Sequence, residues 1–191
     1  MPQIQGLGPK ENTLYEMFFN RAKQQPDSTF IWTKKENEWK SNSWGQIANQ
    51  VKIIASALTQ RGITAGARVA ILSENRLEWI ITDVAIMSIG AISVPLFTTY
   101  TQTDITYLLS HSGARAIICS NSELTAIAET AAQDSPDCYL MVIMEQSKLL
   151  HHSHNLAIVN WEDLIKEGEK ASSNKIISSL PMSVDDVCCI I

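Results

Sequence analysis

Between Val69 and Met144, four short apolar runs alternate with helix-sized segments, and this alternation restricts the fold more than any other feature of the chain. The runs are Val69–Leu72, Ala91–Val94, Ala116–Cys119 and Tyr139–Met144. They lack a regular polar residue at every second position, so they read as strands covered on both faces. Between them lie Arg76–Ile89, Thr103–Ser110 and Ser122–Ala132, which read as helices. Gly90 stops the first of these, and Asp104 sits in the first turn of the second, where the helix dipole favours an anion. Successive strands joined through helices pair in parallel with right-handed crossovers. The expected fold class is therefore α/β, with a mostly parallel, doubly wound sheet.

The flanks are simpler. Residues 1–11 are rich in Gly and Pro and read as a flexible tail. Asn12 or Thr13 can cap a helix over Leu14–Gln25, whose apolar residues Leu14, Met17, Phe18 and Ala22 recur at helical spacing. Thr29–Thr33 and Glu38–Asn42 predict a small hairpin. Ser43-Trp44-Gly45-Gln46 matches a capping box. The helix behind it carries one apolar stripe, Ile47, Val51, Ile54, Ala55 and Leu58, and runs to about Arg61, with Gly62 as its stop. Residues 145–157 read as a polar connector, Trp161–Lys170 as an amphipathic helix, and 171–182 as a Ser-rich linker. Val187–Ile191 reads as a buried strand that meets the end of the chain without turn or cap. Strands normally end in a surface turn, so the expectation is a truncated domain over 12–191.

Composition narrows function mainly by exclusion. With 45% hydrophobic and 18% charged residues the chain is globular in type. Its net charge of -5 and its lack of a Lys/Arg cluster argue against nucleic acid. The four cysteines, Cys119, Cys138, Cys188 and Cys189, form no CxxC pair; free, buried thiols in a reducing, cytoplasmic setting are expected. The N-terminus has no apolar signal region. Ile80–Phe97 resembles a membrane span, but Asp83 would cost roughly 2.5–3.5 kcal/mol at mid-bilayer. Gly90 and Pro95 also divide the segment into helix and strand. Gly6-Leu7-Gly8 has no strand before it and Glu11 where a third Gly should stand, and no GxxxxGK[ST] occurs. His151, His152 and His154 lack a matching acidic or Cys partner and read as a solvated loop. Asp185 and Asp186, adjacent on an extended chain, would face opposite ways. Trp32, Trp39, Trp44, Trp79 and Trp161 are expected in core or edge packing.

Function enters through resemblance. Ser43–Ala48 is similar to a "T-[YW]-x-E-[LI]-x" helix start, and Arg61–Ile71 to "L-G-[IV]-x-x-G-D-[RV]-V-[AG]-I". Ser73–Trp79 is similar to "S-E-N-R-P-E-W", Gly90–Leu96 to "G-A-[IV]-x-V-P-L", and Ile105–Ser120 to "[IL]-x-Y-[IL]-L-x-x-S-[GE]-A-[KR]" with its following strand. In that order and spacing they resemble the start of the adenylate-forming (AMP-binding) superfamily, most of all its long-chain acyl-CoA synthetase branch. Ala67, Leu77 and Thr98 stand where that branch usually has Asp, Pro and Pro. The resemblance implies the N-terminal part of the large domain of an AMP-forming ligase that uses ATP, Mg2+ and coenzyme A on a fatty acid. Its hallmark, a Ser/Thr/Gly-rich phosphate loop ending in Pro-Lys-Gly, follows a strand introduced by an acidic pair. Asp185–Ile191 is similar to that strand, and the loop itself lies outside the sequence. No catalytic residue, cofactor-binding residue or metal ligand is therefore assigned within 1–191, and the fragment alone is expected to be inactive. The resemblance leaves room for peripheral membrane contact and for a homodimer.

In doubly wound sheets, ligands lie beyond the carboxyl ends of the strands. That rule nominates Ser73, Glu74 and Asn75 after the first buried strand, and Pro95, Phe97, Thr98 and Thr99 after the second. Asn75, Thr98 and Thr99 are the candidate substrate-binding residues. The competing role for Glu74 and Asn75 is to cap the following helix, with Asn75 the favoured cap. Two other readings stay open: a free-standing, non-catalytic α/β binding domain, and an unrelated flavodoxin-like module. The second lacks a Gly-rich turn after its first strand.

Overall fold

The computed structural model describes residues 13–145, 155–172 and 183–191. The tail 1–11, Asn12, the three connector histidines and most of the Ser-rich linker lie outside the described residues. Helix α1 (Leu14–Gln24) is capped by Thr13, whose Oγ1 accepts the Glu16 amide at 3.3 Å. Strands β1 (Thr29–Lys35) and β2 (Glu38–Ser43) form an antiparallel hairpin. Its tip holds Glu36 and Asn37 at φ 49° and 69°, the left-handed pair that a two-residue turn requires. The capping box at Ser43 and Gln46 opens α2 (Trp44–Gln60) as expected.

Then come β3 (Arg68–Leu72), α3 (Leu77–Ser88), β4 (Ile92–Leu96), α4 (Gln102–Ser112), β5 (Ala114–Cys119), α5 (Ser122–Gln133), β6 (Leu140–Ile143), β7 (Ala157–Asn160) and α6 (Trp161–Ser172). The sheet is parallel throughout, in the order β4-β3-β5-β6-β7. Alternate residues feed opposite cores. Val69, Ile71, Ala116, Ile118, Leu140 and Val142 join the core that includes residues of α1, α2, α3 and α6. Ala70, Leu72, Ile117, Cys119, Met141 and Ile143 join the core under α4 and α5. A strand buried on both faces has no polar side to show, which is why its sequence reads as an unbroken apolar run.

Four expectations need correction. Helix α3 starts at Leu77, its N-cap residue is Arg76, and no side chain caps it, so Asn75 is not the cap. Arg76 is extended and its guanidinium is drawn to carboxylates, while Ser73 Oγ donates to the Glu74 carbonyl. Segment 187–191 is not a buried strand: it makes one parallel bridge, Cys189 with Ser93, and Val187, Ile190 and Ile191 are 58%, 41% and 102% exposed. Pro95 offers a reason. Two residues beyond Ser93 it points the same way, toward the outer edge, where it has no N–H to give. Strand β7 was not expected: it begins at Ala157, the end of the expected polar connector, and covers 158–160, to which no element was assigned. Trp32 and Trp39 are exposed, at 57% and 65%, whereas Trp44, Trp79 and Trp161 do pack against the core.

The cysteines are free. Cys119 and Cys138 are buried, and burial pushes both thiols up, Cys138 to about 12. Cys188 and Cys189 are only partly covered. Among the described residues no helix is long and apolar enough to cross a membrane.

Candidate functional site at the carboxyl ends of the strands

The strand order moves outward from β3 to β4, then crosses back over β3 to β5. That reversal makes the crevice between the carboxyl ends of β3 and β5 the topological switch point, where ligands of open α/β sheets usually sit. The residues arriving there are Ser73 and Glu74 after β3, and Ser120 and Asn121 after β5. Glu145 follows close behind β6. The Ser120 amide donates to the Leu72 carbonyl at 3.2 Å and the Glu145 amide to the Ser120 carbonyl at 3.0 Å, which stitches the crest together.

The chain's own side chains fill this crevice. Ser120 Oγ donates to the Glu74 carboxylate. Arg76 donates through Nε to Glu78 at 2.9 Å and through Nη1 to Glu145 at 3.0 Å, and its Nη1 lies 3.7 Å from Glu74. Partial burial works against ionisation of Glu74. The hydrogen bonds from Ser120, its own backbone and Asn121, together with the Arg76 charge, outweigh it and hold the carboxyl below the usual carboxylate range. Burial likewise disfavours the Arg76 cation, but Glu78 and Glu145 more than compensate and raise its pKa.

A crevice with three carboxylates around one guanidinium and no glycine in its turns does not fit phosphate. Among the described residues no group of three or more His, Cys, Asp or Glu is arranged to hold a metal ion. The described residues of this crevice therefore do not fit the phosphates of ATP or Mg2+.

The nominated residues lie on this same crest. Leu72 pairs with Leu96, so the turns after β3 and β4 leave neighbouring strands at matched height. Asn75 is exposed on the first turn, and Thr98 and Thr99 are exposed on the second. The second turn is closed by the Tyr100 amide donating to the Phe97 carbonyl at 3.1 Å. Phe97, 65% exposed, meets Tyr100 edge-on with ring centroids 5.5 Å apart. Thr101 and Asp104 then form a capping box for α4, with Asp104 Oδ2 accepting the Thr101 amide at 2.9 Å. Segment 188–190 runs parallel beside β4, so it points toward this crest as well. Sequence reasoning missed the Glu74–Ser120 contact and the reach of Arg76 to Glu145, because each joins residues from different strands. The spacing of Glu74, Arg76 and Glu78 was the only local signal.

The model of the family described as "AMP-binding enzyme" matches residues 18–191. A long-chain-fatty-acid–CoA ligase of Mycobacterium bovis is 32% identical over 114 residues, which cover 59% of this chain and 19% of that protein. An uncharacterized protein of Mycobacterium tuberculosis is 28% identical over 110 residues, covering 58% of this chain and 62% of that one. Among solved structures, coronafacic acid ligase from Pectobacterium brasiliense superposes with a TM-score of 0.79 at 21% identity, over 94% of this chain and 33% of that one. The chain thus spans about a fifth of the first relative and a third of the superposed structure. With the family's pattern matched from α1 to the last residue on a parallel sheet of the same shape, this chain belongs to the AMP-binding enzyme family of adenylate-forming ligases.

Proposed function

We propose that this chain is the N-terminal portion of an AMP-forming long-chain fatty acid–CoA ligase, which converts ATP, a fatty acid and CoA to acyl-CoA, AMP and pyrophosphate. The observation that carries the reading is the family match over 18–191, joined to the likeness to a long-chain ligase. In this reading residues 12–191 supply scaffold and one rim of the ligand crevice, with Asn75, Thr98 and Thr99 facing it. Adenylation stabilises charge spreading over phosphate oxygens, which needs preorganised donors. The switch-point crevice holds carboxylates instead, and no Pro-Lys-Gly tripeptide occurs in the chain, so those donors belong to polypeptide beyond it. We place the protein in the cytoplasm, with peripheral membrane contact and a homodimer as compatible arrangements.

The coding DNA beyond Ile191 tests this. An open frame that soon encodes a Ser/Thr/Gly-rich loop ending in Pro-Lys-Gly is expected. The purified 191-residue chain, given ATP, Mg2+ and a long-chain fatty acid, should release no pyrophosphate; chain-dependent release would overturn the division of labour. A stop codon directly after Ile191 would favour the second reading, a free-standing non-catalytic binding domain.

A further inference from the structure

The amino ends of the strands carry a second concave site, at the opposite end of the sheet from the crest. Arg68 opens β3 and reaches to the end of α4, donating through Nε to the Ser112 carbonyl at 2.6 Å and through Nη2 to the Gly113 carbonyl at 2.9 Å. Nη1 donates to the Gly66 carbonyl at 3.2 Å. All three acceptors are neutral. A guanidinium has five N–H donors, so part of its hydrogen-bonding capacity is unused. Its role at the helix end complements the α4 dipole, but that role does not explain its neighbours.

The first neighbour is Arg115. Arg68 pairs with Ala114 and Val69 with Ala116, so Arg115 is an extra residue with no partner in β3. Such a bulge re-aims a side chain and is uncommon in parallel pairs. Arg115 keeps one loose ion pair, with Asp137 at 3.9 Å, both side chains being about half exposed. Tyr139 enters β6 beside it, its amide bonded to the Arg115 carbonyl at 3.0 Å. Gly62, at φ +89°, keeps bare backbone in front of the Tyr139 hydroxyl; a Cβ there would sit 3.1 Å from it. Arg68, Arg115, Tyr139 and Thr64, with the Gly62 and Gly66 backbone, line a hollow of about 380 Å³. No carboxylate is among its lining residues, in a chain whose net charge is -5.

We propose that this hollow binds a small phosphate-bearing anion. Two guanidinium groups, offset in part by the Asp137 carboxylate beside Arg115, leave net positive charge for an anion, and their planar forks suit paired hydrogen bonds to its oxygens. The Tyr139 and Thr64 hydroxyls supply further donors. The site is remote from the carboxyl-end crest and does not depend on the ligase reading.

Titration calorimetry of the 191-residue chain at low ionic strength, with inorganic phosphate and with glycerol phosphate, tests the proposal. Saturable binding is expected, weakened about tenfold or more by Arg115→Gln, as befits loss of a charge-assisted pair. A smaller, few-fold loss is expected for Tyr139→Phe. Arg115 is half exposed and Tyr139→Phe preserves ring packing, so unchanged circular dichroism should accompany both variants. Tighter binding of glycerol phosphate would identify an organic phosphate as the ligand, and equal or tighter binding of inorganic phosphate the free ion. No saturable binding of either probe, or the same Kd in Arg115→Gln, would overturn the site.

Discussion

Gly168→Ala should destabilise the chain, although the same change in an exposed helix would stabilise it. Gly168 lies in α6, buried where that helix crosses α2. A Cβ at this position would overlap the Ile53 carbonyl oxygen. It would also stand 2.8 Å from both the Ile53 carbonyl carbon and its Cγ2, against the 3.4 Å at which ordinary contact begins. The offending atoms are mostly backbone, so no rotamer change relieves them and the helices must separate. Separation loosens Leu164 on α6 and Val51, Ile54 and Ala55 on α2, all of them essentially inaccessible. It also pulls on the bidentate pair between Arg61 and the adjacent Glu167, at 2.9 and 2.6 Å. Overpacking of this kind costs roughly 1–3 kcal/mol, and backbone clash places it at the upper end. The alanine returns about 1 kcal/mol of helix propensity. The net loss should be about 1–2 kcal/mol, lowering Tm by roughly 2–8 °C for a chain of this size. Urea and thermal unfolding followed by circular dichroism measure it. A Gly168→Ala chain as stable as the parent, or more so, would refute the close α2–α6 crossing.

Three other expectations follow from the same geometry. Asn75→Ala should change stability by no more than about 0.5 kcal/mol, the range of an ordinary surface site, because no side chain caps α3; a loss near 1 kcal/mol in urea unfolding would restore Asn75 as the cap. Asp83 is raised above the ordinary carboxylate range by burial, and the nearby Ser93 hydroxyl, buried and without a well-formed partner, offsets this only partly. Its folded pKa therefore exceeds its unfolded one, so its contribution to stability is fullest at acid pH and falls as pH rises from the ordinary Asp value through the folded one. Asp83→Asn should raise the neutral-pH urea midpoint and flatten its pH dependence, and a lowered neutral midpoint would contradict this. Cys188 and Cys189 should react with a thiol reagent before unfolding, and Cys119 and Cys138 only after it; mass spectrometry of labelled peptides distinguishes the two pairs.

Most of the fold was legible because its signals are local. The capping box at Ser43 and Gln46, the helix-stopping Gly62 and Gly90, and the apolar runs of β3, β5 and β6 each announce themselves within a few residues. Strand β7 went unassigned although Leu156–Val159 is as long an apolar run as Val69–Leu72, because it directly follows the polar connector and ends at a helix. The last segment misled in the opposite direction. Val187, Cys188, Cys189, Ile190 and Ile191 are as apolar as a core strand, yet burial depends on what covers them, and among the described residues one bridge to Ser93 leaves Val187, Ile190 and Ile191 exposed.

The crest shows why a site is harder to read than a strand. That the switch point lies between the carboxyl ends of β3 and β5 follows from topology, and topology is encoded in the order of elements. Which side chains occupy the crevice depends on contacts across the sheet, 46 residues apart for Glu74 and Ser120 and 69 for Arg76 and Glu145. No periodicity carries such a pair. The consequence is chemical: Glu74 is hydrogen-bonded, charged and tied to Arg76, so the switch point is closed by the chain's own anion, where a dinucleotide or flavin fold would present backbone amides to phosphate. The family match over 18–191 decides against an unrelated flavodoxin-like module, even though that strand order is present. The β3–β4 side of the rim differs: there Asn75, Thr98 and Thr99 are exposed and segment 188–190 runs out beside β4.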